Sequence, residues 1–298
     1  HMQYLVIDAG GSAIKYAVCD DELVLTQQNK TVSHPHDEKE NYYRQIEDIL
    51  HSVEGDIHGV AISMPGMINH DSGFVFGSAM LQERNIPIVK ELEERLCKPV
   101  SVMNDGFCAA EAEVGYGNMQ DYRNGAVMVL GTGIGGAIII DHKLFSGASY
   151  SAGNLSFIYS DVHHPDDPSS MFASLNGIQG LKAAIQSTSG LEDVDGLAAF
   201  KLIREGRKDV EAGLELFCDR LAFQIYNLQV MLDLDCVLIG GGISREPLLM
   251  DYIKTAVDRR WKSALIPLRL PVISVCKYSN DANLLGALHH FKSQHPGD

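Results

Sequence analysis

The sequence predicts an α/β protein built as two related lobes, and three observations carry that prediction. Apolar, β-branched runs alternate with helical stripes along the whole 298-residue chain, the order that produces sheets flanked by helices. A Gly-rich strand, turn and strand from Asp8 to Leu23 lies without a gap over the stretch from Val129 to Leu144, Gly10 over Gly131 and Asp20 over Asp141. Short apolar pairs with Gly turns often look alike, but a gapless match of this length reads as a repeated unit, each copy presenting its hairpin to a shared cleft. Hydrophobic residues make up 45% of the chain, enough to fill ordinary packed cores.

The elements follow in order. YLVIDAGG reads as a buried strand running into a Gly turn, with IKYAVC and LVLTQ as the next strands of a meander. In residues 37–53, Tyr42, Ile46, Ile49 and Val53 share one face behind an acidic first turn, which predicts a helix. HGVAISMPG returns to strand, a helix near 87–96 precedes the strand PVSVMND, and GFCAAEAEVGYG reads as a helix closed by Gly. GAVMVLGTGIGGAIIIDHKLF reads as strand, turn and strand, while residues 158–176, containing HHPDDPSS, lack periodicity and read as a mobile loop. Val210, Leu214, Phe217, Leu221, Ile225, Leu228 and Leu232 recur at steps of three and four, predicting one long helix over 206–233. The tail alternates again: strand DCVLIGGG, helix EPLLMDYIKTAV, strand PVISVC, helix DANLLGALHHF. A boundary near residue 110 separates a small lobe (1–110) from a larger one (111–280), and the last helix, 281–293, is expected to pack back on the first lobe.

Charge narrows the function classes. The formal net charge is −15, which repels phosphate backbones and anionic lipids, so neither nucleic acid nor membrane is an expected partner. No apolar run approaches the roughly 18 residues of a membrane span, and no basic-then-apolar leader opens the chain, so a cytoplasmic location is expected. His1 and Met2 read as the remnant of a cleaved tag. Six scattered cysteines without a C-x-x-C read as reduced core thiols.

Several motifs invite chemistry. GTGIGG (131–136) matches G-x-G-x-x-G, yet that dinucleotide fingerprint needs a following helix, and AIIIDHKLF is strand-like. Successive N–H groups in such a hairpin still form an anion-binding concavity, and glycine admits a phosphate oxygen where a Cβ would block it. No G-x-x-x-x-G-K-[ST] occurs. In the first copy, Asp8 ends a strand beside Gly10, Gly11, Ser12 and Lys15, which is either an ordinary turn or a place for Mg²⁺ and phosphate. Asn104 and Asp105 close a strand just before a helix, as an N-cap or as a proton acceptor with a positioning amide. IGGGIS (239–244) is a tight connection or a close approach to a flat ring, and PGMIN (65–69) a plain turn or a cleft-lining loop.

DAGGSAIK, SMPG, the Asn104–Asp105 pair, LGTGIGG, IGGGIS and ANLLGAL, in this order and spacing, resemble the ROK family of bacterial sugar kinases within the actin-like ATPase superfamily. The resemblance runs over nearly the whole chain. It implies a two-lobed actin-like ATPase (ribonuclease H-like) fold with ATP in the cleft between the lobes. It also implies transfer of the γ-phosphoryl group of Mg·ATP to a sugar hydroxyl, usually the 6-hydroxyl. By matching position, Asp105 becomes the catalytic base and Asn104 a sugar ligand, with Gly66 lining the sugar. Asp8, Gly10, Gly11, Ser12 and Lys15 become the first phosphate hairpin, Asp8 facing Mg²⁺ through water. Gly131, Thr132 and Gly133 become the second hairpin, and Gly241 and Gly242 lie beside the adenosine. Dimers are usual in the family, which makes a homodimer the implied assembly.

Departures from the family pattern are as informative. Where the family has Gly-Glu-x-Gly-His, this chain has AGNLSF, with Asn154 in place of Glu and Phe157 in place of His. No cysteine lies between Cys108 and Cys218, so the family's zinc cluster is missing and no zinc site is expected; His163 and His164 on the Pro-rich loop read as solvated. Asn154 offers a donor and an acceptor but no charge, which changes the sugars that fit. The resemblance to zinc-less β-glucoside kinases points to a glucose or β-glucoside acceptor. Other hexoses (N-acetylmannosamine, fructose, allose) are the alternative, as is a catalytically silent sugar-binding protein. A sugar-responsive regulator would carry a helix-turn-helix extension ahead of the first strand, which here begins by Tyr4.

Overall fold

The computed structural model describes residues 1–297, and the chain divides into two compact units. The first comprises residues 1–117, the short segment 146–152 and the chain from Asn280 onward. The second comprises residues 118–145 and 153–279.

In the first unit β1 (Gln3–Ala9), β2 (Ala13–Asp20) and β3 (Leu25–Val32) form the expected antiparallel meander. After α1 (Lys39–Ser52), β4 (Ile57–Met64) adds in parallel to β1. A small hairpin follows, β5 (Met67–Asn69) with β6 (Phe74–Gly77), where PGMIN suggests only a turn or loop. Then come α2 (Ile88–Leu96), β7 (Val100–Asn104) in parallel with β4, and α3 (Asp105–Gly115). The sheet order is β3-β2-β1-β4-β7. α1 buries Tyr42, Tyr43, Ile46 and Ile49, the apolar stripe that makes it legible, against the sheet residues Leu5, Ile7, Val60 and Ile62.

The second unit repeats the plan. β8 (Gly125–Leu130), β9 (Ile134–Ile140) and the two-residue β10 (Lys143–Leu144) are antiparallel. Single 3₁₀ turns at Leu155–Phe157 and Pro168–Ser170 lead into α4 (Phe172–Asn176). The stretch 158–176 is therefore partly ordered, anchored by the fully buried Phe172. α5 (Ile178–Ser189) and α6 (Gly196–Arg204) precede the long α7 (Lys208–Leu232), whose predicted stripe is buried from Val210 to Leu228. β11 (Cys236–Gly240), α8 (Pro247–Trp261) and β12 (Val272–Val275) complete the order β10-β9-β8-β11-β12, with β11 parallel to β8 and β12. Both sheets thus share one pattern: a three-strand meander extended by two parallel strands.

The last helix, α9 (Ala282–Gln294), belongs to the first unit and lies on α3 and on the face of β1, β4 and β7. Glycines make room for it. A Cβ on Gly286 would sit 1.6 Å from the Cys108 carbonyl oxygen, and one on Gly59 would sit 2.2 Å from the Phe291 ring. Four of the six cysteines are buried, as expected; Cys97 instead is exposed, in the left-handed C-cap position of α2.

Candidate functional site

The first unit concentrates its polar groups at the carboxyl ends of its parallel strands, where α/β sheets characteristically place ligands. Register aligns Lys30, Lys15, Asp8 and Ser63 across β3, β2, β1 and β4. Asp8 accepts a hydrogen bond from Ser63 Oγ at Oδ1 (3.1 Å) and from Asn283 Nδ2 at Oδ2 (3.2 Å). Burial pushes its carboxyl above the ordinary aspartate range; the two hydrogen bonds and Lys15 oppose that rise, and the charge of Asp105 adds to it. Asn283 is a partner that sequence reading missed, although it stands in the ANLLGAL motif.

Asn104 and Asp105 divide the two readings left open for them. Asn104 is the N-cap of α3: its Oδ1 accepts from the N–H groups of Gly106 (2.9 Å) and Phe107 (3.3 Å). Its Nδ2 donates to the Gly66 carbonyl at 2.8 Å, tying the strand end to the loop that begins the small hairpin. Asp105 shares the Gly106 N–H with that cap. Burial raises its carboxyl above the usual range, opposed by the backbone N–H groups of Gly106 (2.8 Å from Oδ1) and of Asp105 itself. A part-buried carboxylate of raised basicity, with an oxygen that no other described residue engages, suits proton abstraction.

Gly66 has a positive φ of 133°, and a Cβ there would meet the Gly77 carbonyl oxygen at 2.4 Å, so only glycine fits. It lines a groove of about 830 Å³ together with Met67, Phe76, Ser78, Gln82, Arg84 and others. Of these only Gly66 was singled out from sequence; the loop 78–85 carries no periodicity that would have flagged it.

The Gly-rich hairpins are closed by short backbone bonds and carry glycines with open faces. Gly10 N–H donates to the Ala13 carbonyl (3.0 Å), and Gly131 N–H to the Gly133 carbonyl (2.9 Å), closing the equivalent turn in each unit. Nothing lies within 4 Å of a Cβ placed on Gly11 or Gly242, and on Gly131 only one atom does, at 3.9 Å. None of these three has a positive φ. Their lack of a side chain is thus not demanded by the backbone and leaves open approach for a ligand. Gly241 differs: φ is 96° and a Cβ would collide with the Leu130 carbonyl oxygen at 2.1 Å, a steric role. Ser12, Lys15 and Thr132 are exposed.

In the second unit the hairpin is held from two sides. Ile178 N–H, in the first turn of α5, donates to the Gly131 carbonyl at 2.8 Å. Ser156 Oγ bridges the backbone of Ile134, accepting from its N–H and donating to its carbonyl, both at 2.8 Å. Asn154 is exposed two residues before Ser156, so its backbone is tethered to the phosphate-type turn. Phe157 is 66% exposed. His163 and His164 are exposed, and His164 Nδ1 lies 2.8 Å from Asp161.

The model of the ROK family matches residues 4–294, and the chain belongs to that family. A β-glucoside kinase of Klebsiella pneumoniae is 28% identical over 298 residues, covering 97% of this chain and 96% of its own. An N-acetyl-D-glucosamine kinase of Mannheimia succiniciproducens is 28% identical over 297 residues, covering 94% and 96%. Among solved structures, a ROK family protein from Streptococcus pneumoniae, crystallised with sucrose, superimposes with a TM-score of 0.85 at 26% identity, covering 98% of this chain and 99% of that one. The fold class is that of the actin-like ATPases. No helix among the described residues is long and apolar enough to cross a membrane.

Proposed function

We propose that this member of the ROK family is an ATP-dependent sugar kinase that transfers the γ-phosphoryl group of ATP to the 6-hydroxyl of glucose or of the glucosyl unit of a β-glucoside. The observation that carries the reading is Asp105: part-buried, of raised basicity, and sharing with the Asn104 cap only the Gly106 N–H, while the Phe107 N–H goes to Asn104 alone. Relatives named as sugar kinases support the reaction class.

Asp105 takes the proton of the attacking hydroxyl as the sugar oxygen bonds to phosphorus and the bond to the leaving ADP oxygen breaks. Asn104, fixed by its own bonds to α3 and Gly66, orients the sugar from its remaining N–H. The Gly10–Lys15 hairpin of the first unit binds phosphate through backbone N–H groups and the Lys15 ammonium, and the Gly131–Gly133 hairpin of the second does so through backbone N–H groups and Thr132 Oγ1. Gly242, with its open face, lies against the adenosine, and Gly241 holds the turn that presents it.

The residues fit a Mg²⁺ ion bound through water. Asp8 receives only neutral donors, Ser63 and Asn283, and its carboxylate is raised in basicity partly by Asp105, an electrostatic setting that a cation relieves. Such an ion supplies charge neutralisation between the phosphates. A cytoplasmic location and a homodimer belong to the same reading.

The substrate half rests on two supports. Asn154 replaces a charged sugar ligand of the family pattern, and the similar K. pneumoniae protein is a β-glucoside kinase. A coupled ADP-release assay with Mg·ATP against glucose, cellobiose, gentiobiose, aryl β-glucosides, N-acetylmannosamine, N-acetylglucosamine, fructose and allose tests it. Preference for β-glucosides is the expected result. A preference for another hexose keeps the kinase and removes the acceptor assignment; silence with sugar still bound identifies a non-catalytic binding protein.

A further inference from the structure

The groove beside Gly66 is larger and differently furnished than one hexose requires. At about 830 Å³ it lies near the upper end of pockets that enclose ligands several times the size of a hexose. It begins at the Gly66 loop, whose carbonyl is bonded to Asn104, and runs outward between the β5–β6 hairpin and the loop 78–85. Its furnishing is of two kinds. Phe76 and Met67 stand 39% and 51% exposed and give the groove an apolar wall. The Phe76 ring is steadied by an edge contact with Phe74 at 5.2 Å. Opposite kinds of group surround it: Arg84, Gln82 and Asn85 are exposed, and among the described residues none has a side-chain hydrogen bond or ion pair.

The backbone here is also held in conformations that cost energy. His36 (φ 59°) and Asn85 (φ 57°) are left-handed, and both line the groove with Gly66. Each is fixed by a backbone hydrogen bond, His36 N–H to the Ala79 carbonyl (2.9 Å) and Asn85 N–H to the Phe76 carbonyl (3.2 Å). Strain held in place by surrounding bonds is characteristic of ligand-clamping sites. Sugars are bound by this combination: a ring's C–H face lies on an aromatic side chain while hydroxyls at its edge take planar donors and amides.

We infer that this groove is a second sugar subsite, in which Phe76 stacks on the ring attached to the phosphorylated glucosyl unit and Arg84, Gln82 and Asn85 bind its hydroxyls. The inference rests on the kinase reading above and adds where acceptor length is read. Glucose then meets only the inner site, and a β-linked disaccharide meets both.

The test compares wild type with Phe76→Ala and Arg84→Ala, both exposed positions outside the catalytic machinery, using glucose and cellobiose. The expected result is a loss of about three- to tenfold in kcat/KM for cellobiose in each variant, with glucose changed less than twofold. Calorimetric titration with cellobiose in the absence of ATP reports the same contacts without turnover and should show the same selective loss. Equal losses for both sugars, no loss for either, or glucose phosphorylated while cellobiose is neither bound nor phosphorylated would each overturn the subsite. Selective loss of cellobiose binding in a protein that turns over no sugar would retain the subsite and overturn the kinase reading instead.

Discussion

Replacing Asp105 by Asn isolates the proton-accepting role with little other disturbance. The amide keeps the volume and keeps an oxygen to accept from Gly106 N–H, now at 2.8 Å. The start of α3 is unaffected because Asn104, not Asp105, is the cap. Removing a positioned general base costs about 10²–10⁴ in rate, or about 3–5 kcal/mol of transition-state stabilisation. We therefore expect kcat to fall by that factor while sugar affinity stays within a few fold. Stability should move the other way. A buried carboxylate with raised pKa is a native state that prefers the proton, so above that pKa the ionised form is carried at a cost, and the cost disappears as pH falls through it. The variant's amide never carries the charge, so Asp105→Asn should melt no lower than wild type at neutral pH. The wild-type kcat/KM profile should show an acid limb above the usual aspartate range that is absent from the residual activity of the variant. Coupled ADP release across pH, with urea unfolding of both proteins, supplies the numbers. A kcat within threefold of wild type would refute the base assignment, and a large loss of stability would show that Asp105 holds the fold rather than the reaction.

Three further outcomes follow from the same contacts. Asp8→Asn should raise the Mg²⁺ concentration needed for half-maximal velocity, since it removes the carboxylate beside the first hairpin; an unchanged Mg²⁺ titration would exclude Asp8 from the metal side. Gly286→Ala should destabilise the protein by about 3 kcal/mol or more, because its Cβ would fall 1.6 Å from the Cys108 carbonyl oxygen and force α9 away from α3; a chemical-denaturation change under 0.5 kcal/mol would refute that packing. Burial lowers His290 to about 4, with His70 adding to the effect, so the unfolded chain binds the extra proton first. Stability from this residue is complete above about pH 6.5 and lost as pH falls towards 4, about 3 kcal/mol in all; a stability curve flat over that window, relative to His290→Gln, would contradict it.

Much of the fold is legible in the sequence because its signals are local and strong. β1, β2, β8 and β9 are apolar runs broken by paired glycines, and α1 and α7 carry unbroken stripes. The repeated hairpin, β8 with β9, lies inside the second unit, which begins at Asn118, a few residues beyond the boundary expected near 110. What escapes reading has weak periodicity. α5 contains Gly180 and a Ser–Thr–Ser end, and the β5–β6 hairpin has strands of only three and four residues, entered at Gly66 and joined through Gly73, both of positive φ. At the site, residue type identifies Asp8, Asn104 and Asp105, but the division of labour between the last two depends on which side chain turns back to cap α3. The groove residues 82–85 carry no pattern at all, since what gathers them is two left-handed residues and a bridge between Val75 and Ile86.

The bond from Asn283 to Asp8 joins positions 275 residues apart. A chain emerging from the ribosome presents β1, β4 and β7 early, yet the helix that lies on their face, and the amide that completes the Asp8 carboxylate, are translated after the whole second unit. That second unit, interrupted only by Ser146–Ala152, can acquire its core during synthesis. The half of the protein made first is therefore the half finished last, and its uncovered sheet face must be shielded from aggregation until then.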